Sequence, residues 1–389
     1  MSASIYLDNN ATTHIDPIVA ERMHELNLAA ICNPASQHQP GRHALHLLEE
    51  AKSEILRSVG ATADGMEADR VILTSGGTEA NNLFVRGMQT IRPGVTIVGG
   101  TDHPSVIEAA RLAGPDNCRI LPVDHLGACD LNVLEEWLQE VHHLPQRRVS
   151  CVSVMLGNNE SGVIQDLYAI TSICRKFDVP VHSDIVQAVG KIPVDFRALG
   201  LAAATVTGHK IHGPVGVGAL IINPSLQLDP LIVGGSQQLG LRAGTEPVVP
   251  AVGFALSLKL IVDALAGGEF DDVRLLRDRF EDQLSSQLDV SVLASEAARL
   301  PHTSNIAFPG VDRQALHMAL DLNRLACSTG SACASGSSRP SGVLVAMGLP
   351  DELIQSSLRF SFSRFSTETE TDQAVKIIVQ AATKCTVNS

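Results

Sequence analysis

Two polar residues follow two strand-like runs in the middle of the chain. Asp184 ends the run VHSD, and Lys210 comes three residues after the run AATVT, in the sequence TGHK. Ligands collect at the carboxyl ends of parallel strands, so the two side chains are expected to face one pocket. The pair suits pyridoxal phosphate, which needs a lysine amine to hold its aldehyde as a Schiff base and a carboxylate to keep its ring nitrogen protonated. The competing interpretation is a solvated lysine in a glycine-rich turn and a helix-capping aspartate.

A glycine-rich turn, TSGGTEA at positions 74–80, follows a predicted strand and opens a predicted helix. Free backbone N–H groups and the positive end of the helix dipole make such a turn a phosphate site, and the Thr78 hydroxyl adds a donor. The turn lacks the lysine of a P-loop, which argues against a nucleoside triphosphate. A plain turn capped by Thr78 is the alternative.

Three further polar residues lie beyond predicted strand ends. His103, in TDHP, is placed where an imidazole can lie flat on a pyridine ring and move protons. Asn159, in GNNESG, offers an amide to ligand oxygens, and Gln187 lies three residues beyond Asp184. Each has an ordinary alternative, because most histidines do neither and amides also satisfy turn backbone.

The last third of the chain adds a thiol and a guanidinium. Cys333 lies in the small-residue run CSTGSACASG, where an exposed thiol is a candidate nucleophile. Cys327, at a predicted strand end, is expected in the core, and a redox or metal pair with Cys333 stays open. Arg359 alternates with apolar residues in SSLRFS, and its guanidinium suits a substrate carboxylate or a structural ion pair.

Composition limits the classes of protein that fit. The 389 residues are 44% hydrophobic and 18% charged, with a net charge of −13, which favours a globular protein and argues against a nucleic-acid binder. Eight scattered cysteines favour a reducing compartment, and the N-terminus lacks a secretory pattern, so we expect a cytoplasmic protein without a membrane span. The most apolar stretch, 251–265, is predicted to be a buried helix.

Short apolar runs alternate with helical patterns, which predicts βαβ units and a mostly parallel sheet in an α/β fold. We expect a segment 1–15 that packs on a small domain, a large α/β domain over 16–260 and a small α+β domain over 261–389. The large domain is predicted to have seven strands: 71–74, 96–99, 119–122, 149–155, 179–183, 203–207 and 217–222. The small domain is predicted to have strands at 305–308, 325–328 and 358–362, and a last helix that starts at the capping box Thr367–Glu370.

Taken together, these motifs resemble the cysteine desulfurases of the NifS/IscS type, which are fold-type I pyridoxal phosphate enzymes. The resemblance runs from position 6 to position 366. It is carried by an ordered set of motifs: TSGGTEANN, TDHPSV, GNNESGVIQD, VHSDIVQAVGK, TGHKIHGPVGVGAL, LRAGTE and CSTGSAC.

The resemblance implies a role for each matching residue. Lys210 is then the Schiff-base lysine, Asp184 holds the pyridinium, and His103 stacks on the ring and moves protons. The other implied cofactor contacts are Gln187, Asn159, Gly77, Thr78, Thr207, Gly208 and His209.

The same resemblance assigns the substrate, the dimer and the sulfur. Arg359, Asn33 and Asn159 match substrate-binding positions, and Thr245 matches a residue that enters the neighbouring subunit's site, which implies a homodimer. Cys333 matches the thiol that takes sulfur from L-cysteine, leaving alanine and an enzyme persulfide, and it is also a candidate transient ligand of an iron-sulfur cluster. The long-loop class of this family passes its sulfur to iron-sulfur scaffold proteins or thiolation pathways.

The chain departs from the family in several places, and rival functions remain. Positions 237–240 read QQLG where the family usually has Gln-Glu-Arg-Gly, and Val215 replaces a common lysine. The change near Leu239 puts in doubt how the dimer rim or a partner surface is built. A selenocysteine lyase or class V aminotransferase, or a silent sulfur carrier or scaffold with the same fold, are the alternatives.

Overall fold

The computed structural model describes residues 4–29, 31–143, 147–330 and 340–385. Twelve strands lie in these ranges: β1 (Ile5–Tyr6), β2 (Arg70–Thr74), β3 (Val95–Gly99), β4 (Cys118–Leu121), β5 (Val149–Ser153), β6 (Val181–Asp184), β7 (Ala203–Thr207), β8 (Gly218–Ile222), β9 (Ser291–Val292), β10 (Thr303–Ala307), β11 (Leu325–Ala326) and β12 (Ser357–Ser361).

Twelve helices lie in the same described ranges: α1 (Pro17–Leu28), α2 (Gln39–Ser58), α3 (Gly77–Ile91), α4 (Pro104–Arg111), α5 (Leu131–His142), α6 (Leu167–Arg175), α7 (Val248–Ala266), α8 (Glu269–Ser285), α9 (Arg313–Leu322), α10 (Gly342–Ala346), α11 (Asp351–Gln355) and α12 (Glu368–Lys384). Local sequence explains where several of them begin. Asp16 caps α1 ahead of Pro17, and its carboxylate accepts from the N–H of Ile18 at 2.8 Å. The predicted capping box at the start of α12 is confirmed.

Seven strands form one large sheet in the order β2-β8-β7-β6-β5-β3-β4. The strands from β7 to β4 are parallel neighbours, and only β8 runs antiparallel to both of its neighbours, β2 and β7. The predicted α/β class is therefore confirmed, and each of the seven predicted strands overlaps an observed one, although the predicted strand 149–155 runs two residues beyond the end of β5 at Ser153. The carboxyl ends of β3, β5, β6 and β7 meet at one edge, which is where a ligand site is expected.

Both faces of the large sheet are covered by helices, as parallel strands require. Alternate residues of a strand point to opposite faces, so Ile72 packs with α3 and α4 while Leu73 packs in the larger core on the other face. Phe84 of α3 and Leu48 of α2 are fully buried, one on each side. The sheet is thus a rigid layer that fixes the positions of its strand ends.

The helix α7 contains the most apolar stretch of the chain. Among the described residues it is the one helix that could cross a membrane by length and composition, and half of its most apolar window is buried. It packs against α1 and α2, with Phe254 and Leu258 fully buried. A core helix of a globular protein has these properties, and the predicted helix at 251–265 lies within it.

Beyond α7 the chain forms a second, smaller sheet in the antiparallel order β12-β10-β9. The predicted strand at 325–328 is too long: β11 ends at Ala326 and pairs in parallel with β1, outside the small sheet. Ser328 lies beyond the end of β11 and makes an isolated antiparallel bridge to Arg359 of β12. The division into domains at 15 and 260 stays a prediction.

Candidate active site

A cavity of about 250 Å³ opens at the carboxyl ends of β3, β5, β6 and β7. It brings together side chains from residue 77 to residue 210, which no short motif could place side by side. Its lining residues are Gly77, Thr78, Asn81, His103, Ser105, Met155, Asn159, Asp184, Val186, Gln187, Thr207, His209 and Lys210. The predicted neighbourhood of Lys210, Asp184 and His103 is therefore present.

Lys210 ends the short 3-10 turn Gly208–Lys210 that follows β7. Its ammonium donates to the carbonyl oxygens of Asn10 at 2.5 Å and Ala11 at 2.6 Å. Burial and the nearby Arg359 charge together lower the pKa of Lys210 to about 8, against the opposing charges of Asp8 and Asp184. The uncharged fraction of this amine near neutral pH is therefore larger than that of an ordinary lysine, as suits a nucleophile.

Asp184 ends β6 and is 6% exposed. One carboxylate oxygen accepts from the Asn81 amide at 2.8 Å, and the other accepts from the Val186 N–H at 3.0 Å. Two donated hydrogen bonds suit an ionised carboxylate and leave lone pairs for a protonated ring nitrogen. Asn81 was missed in the sequence analysis, although its place one turn into the helix after the glycine-rich turn pointed toward the pocket.

His103 caps α4, and its ring lies at the pocket wall. The Ser105 N–H donates to Nδ1 at 3.1 Å, so Nδ1 carries no proton and Nε2 is the nitrogen that binds one. Burial lowers the pKa of His103, with Asp184 opposing and Lys210 reinforcing the shift. The imidazole is therefore neutral near pH 7, with its proton on Nε2, from which it can donate to a bound group.

The other end of the pocket is rich in hydrogen-bond donors. Gly76 precedes α3 with φ of +155° and ψ of −178°, a backbone conformation that essentially only glycine adopts, and no described side chain caps this helix. The first N–H groups of α3 are thus left for a ligand, beside Thr78, Thr207 and His209. Burial and the Lys210 charge lower the pKa of His209 to about 4, so its ring is a neutral partner. This donor set fits the phosphate of pyridoxal phosphate.

Gln187 and Asn159 also line the pocket, and both are fixed by neighbours. Gln187 donates to the Asn10 carbonyl at 3.0 Å and accepts from the buried Lys191 at 3.3 Å. The Asn159 carbonyl accepts from Asn10 at 3.0 Å and from Arg359 at 3.1 Å. Their predicted cofactor and substrate contacts stay predictions.

Arg359 lies on β12, 4% exposed, and is not part of the pocket lining. Its guanidinium donates to the Asp8 carboxylate at 2.7 Å, so the structural ion pair weighed in the sequence analysis is present. Its Nε has no hydrogen-bond partner among the described residues and keeps one donor free. The substrate role of Arg359 stays a prediction.

Four other predicted residues have different placements. Asn33 is exposed and caps its own loop by accepting from the Ala35 N–H, and Thr245 is also exposed, so neither lines the pocket. Cys333 lies outside the described residues. Cys327 is buried, as expected, and burial raises its pKa far above that of an ordinary thiol.

Comparison with known proteins agrees with this geometry. The model of the aminotransferase class-V family matches residues 5–374. The chain is 37% identical to a cysteine desulfurase IscS of Rickettsia bellii, over 98% of this chain and 91% of that protein. It is 36% identical to an IscS-like cysteine desulfurase of Mycobacterium tuberculosis, over 97% and 96%.

A solved structure shows the same fold. The X-ray structure of a NifS-like protein from Rickettsia africae superimposes with a TM-score of 0.88 at 34% identity, covering 97% of this chain and 99% of that chain. The predicted family and fold-type I architecture are thereby confirmed. The chain belongs to the aminotransferase class-V family and is a pyridoxal phosphate enzyme.

Proposed function

We propose that the protein is a cysteine desulfurase, which converts L-cysteine to L-alanine and passes the sulfur to one of its own thiols. The observation that carries this proposal is the single cavity in which Lys210, Asp184 and His103 meet, in a chain matched over nearly its whole length by cysteine desulfurases. Pyridoxal phosphate, when bound, supplies an electron sink for bonds broken at the substrate.

The residues of the pocket divide the work of binding and proton transfer. Asp184, held by Asn81 and Val186, keeps the cofactor ring protonated, and the turn at 76–78 takes the phosphate. Lys210, with its lowered pKa, would remove a proton from the substrate, and His103 would donate a second proton from Nε2. Arg359 binds the substrate carboxylate.

The sulfur step balances without an outside oxidant. The carbon–sulfur bond of cysteine breaks, its sulfur forms a sulfur–sulfur bond with the enzyme thiol, and the carbon gains a proton to become the methyl group of alanine. The sulfur is oxidised as the carbon is reduced. Cys333 is the proposed acceptor thiol, because it lies in a run of small residues between Gly330 and Pro340.

A homodimer and a sulfur-accepting protein complete the proposal. Thr245 is exposed in the single chain and is not part of the pocket lining, which is consistent with a role in the partner's site. Transfer to a scaffold for iron-sulfur clusters or to a thiolation pathway is the expected fate of the persulfide.

The test is to incubate the purified protein with L-cysteine and a thiol, and to follow alanine and sulfide together. The wild type is expected to form equal amounts of both, and Lys210→Ala to form neither. Cys333→Ser is expected to abolish sulfide release but to keep the absorbance change on binding cysteine, because the cofactor pocket is intact. Cys327→Ser is the matched control, since its buried thiol is not the acceptor.

Two outcomes would contradict the proposal. Full turnover in Cys333→Ser, with an amino group passed to a 2-oxo acid, identifies an aminotransferase instead. A colourless protein whose absorbance does not respond to cysteine identifies a silent sulfur carrier or scaffold.

A further inference from the structure

The side chain of Gln238 closes part of the open edge of the large sheet. β2 is an edge strand, and the Leu73 N–H donates to Gln238 Oε1 at 2.6 Å while Gln238 Nε2 donates to the Leu73 carbonyl at 2.9 Å. Gln238 is 8% exposed, so both hydrogen bonds are shielded from water. The side-chain amide of Gln238 thus takes the place of a neighbouring strand at Leu73, the residue just before the glycine-rich turn.

A second contact from the same segment reaches the far side of that turn. Arg242 Nε donates to one oxygen of Glu79 at 2.9 Å, and the other oxygen of Glu79 accepts from the Ser75 N–H at 2.7 Å. Glu79 is in the first turn of α3, whose N–H groups are proposed to hold the phosphate. Gln238 and Arg242 therefore hold the turn on both of its sides.

We call residues 238–246 the clasp segment, and its other end is also tied down. Glu246 pairs with Lys52 of α2 at 2.9 Å. Within the segment, Gln238 and Leu239 both have left-handed backbone, with φ of 49° and 62°. Two consecutive non-glycine residues are disfavoured there by crowding of Cβ, so this shape persists only because the contacts of the segment impose it.

We propose that Gln238 is a positioning residue that holds the glycine-rich turn in the shape that binds the cofactor phosphate, so that the clasp segment sets the affinity for phosphorylated cofactor. The amide group matters because it both accepts from Leu73 and donates to it. A glutamate at this position would accept the N–H bond but has no proton for the carbonyl when ionised. The proposal rests on cofactor binding and does not depend on the desulfurase reaction.

The test compares pyridoxal phosphate with pyridoxal, which lacks the phosphate. The wild type, Gln238→Ala and Gln238→Glu are stripped of cofactor as full-length protein and titrated with each compound by absorbance. We expect both variants to bind pyridoxal phosphate about tenfold more weakly, because the turn is no longer held, and to bind pyridoxal as the wild type does. Arg242→Gln is likewise expected to weaken the binding of pyridoxal phosphate relative to that of pyridoxal.

Two further variants separate positioning from general stability. Gln237→Ala is the matched control, because Gln237 accepts from the Gly244 N–H of the clasp segment at 3.3 Å but makes no hydrogen bond to β2 among the described residues, so it tests the segment without the contact to Leu73. Leu239→Gly relieves the left-handed backbone without removing a hydrogen bond, so it is expected to raise the melting temperature and to leave the ratio unchanged. If Gln238→Ala and Gln238→Glu weaken both compounds equally, or neither, the proposal is wrong. If Gln238→Ala does not fold, Gln238→Glu alone decides.

Discussion

Two regions differ in what their charged groups already bind: the part of the pocket around Asp184, here called the ring side because the cofactor ring is proposed to lie there, and the neighbouring region around Arg359, here called the arginine side. On the ring side, Asp184 accepts from the Asn81 amide and a backbone N–H, and no described cation pairs with it. On the other side, Arg359 already holds the Asp8 carboxylate at 2.7 Å. The first arrangement receives a protonated ring without losing a bond, whereas in the second a substrate carboxylate competes with Asp8 for the guanidinium.

This difference indicates which part of the site is built in advance. The ring-side groups stand at the ends of strands in one rigid sheet, so their geometry is set before a ligand binds. Arg359 lies in the small sheet and is shared between Asp8 and the Asn159 carbonyl. Substrate binding is therefore expected to rearrange the arginine side and to leave the ring side in place.

The largest expected effect is at Arg359. Arg359→Gln is expected to lower kcat/KM for L-cysteine about a hundredfold, or about 2.7 kcal/mol, because a buried charge-assisted pair with the substrate carboxylate is lost. Most of the change should fall in KM. Steady-state assays of alanine formation measure it, and an unchanged KM would mean that Arg359 serves only its ion pair.

Asp8→Asn sharpens the same comparison in the opposite direction. Removing the competing carboxylate frees the guanidinium, so KM for L-cysteine is expected to fall a few-fold while Arg359 stays in place. A rise in KM would show that Asp8 orients Arg359 and does not compete with the substrate.

The next effect concerns two buried histidines: His182, on the strand β6 that ends in Asp184, and His302, directly before β10. His182 of β6 bonds Ser153 at 2.8 Å and Thr205 at 2.9 Å, whereas neither ring nitrogen of His302 has a partner among the described residues. Burial lowers the pKa of His182 to about 3 and that of His302 well below its usual range. Near pH 5.5 the unfolded chain binds a proton at each position and the folded chain does not, so acid favours unfolding.

Lowering the pH from 7.5 to 5.5 is therefore expected to reduce the free energy of unfolding by about 1.4 kcal/mol for each of these histidines. Urea unfolding at the two pH values measures the change, and equal stability at both would contradict it. At pH 7.5, His182→Leu should destabilise more than His302→Leu, because it leaves two buried hydroxyls unpaired. Equal losses would remove the contrast between the two histidines.

A further effect is expected at Asn81, which donates to Asp184. Asn81→Ala removes one of the two donors to Asp184, which is expected to lower kcat about tenfold, since a hydrogen bond to a charged group contributes about 1.5 kcal/mol at its lower limit. KM should change little, because Asn81 is on the ring side. Gln89→Ala, near the other end of α3, is the control and should leave kcat unchanged.

Local pattern was sufficient for much of the fold. Alternating apolar runs located all seven strands of the large sheet, and Asp16 and Thr367 marked helix starts by their side-chain chemistry. The strand at 325–328 was overestimated because its pairing with β1 depends on a segment more than 300 residues away. Short-range periodicity carries no information about such a partner.

Part of the candidate site was likewise predictable from the sequence, and part was decided only by the tertiary structure. The residue types and order of Lys210, Asp184 and His103 were sufficient to predict a pyridoxal phosphate pocket, because their chemistry is specific and their positions follow strand ends. Only the tertiary structure decided that Asn81 supports Asp184, that Asp8 occupies Arg359 and that Gln238 pairs with Leu73. Each of these contacts joins residues about 100 or more apart in the chain, and a contact over that distance is set by the packing of whole elements and not by local sequence.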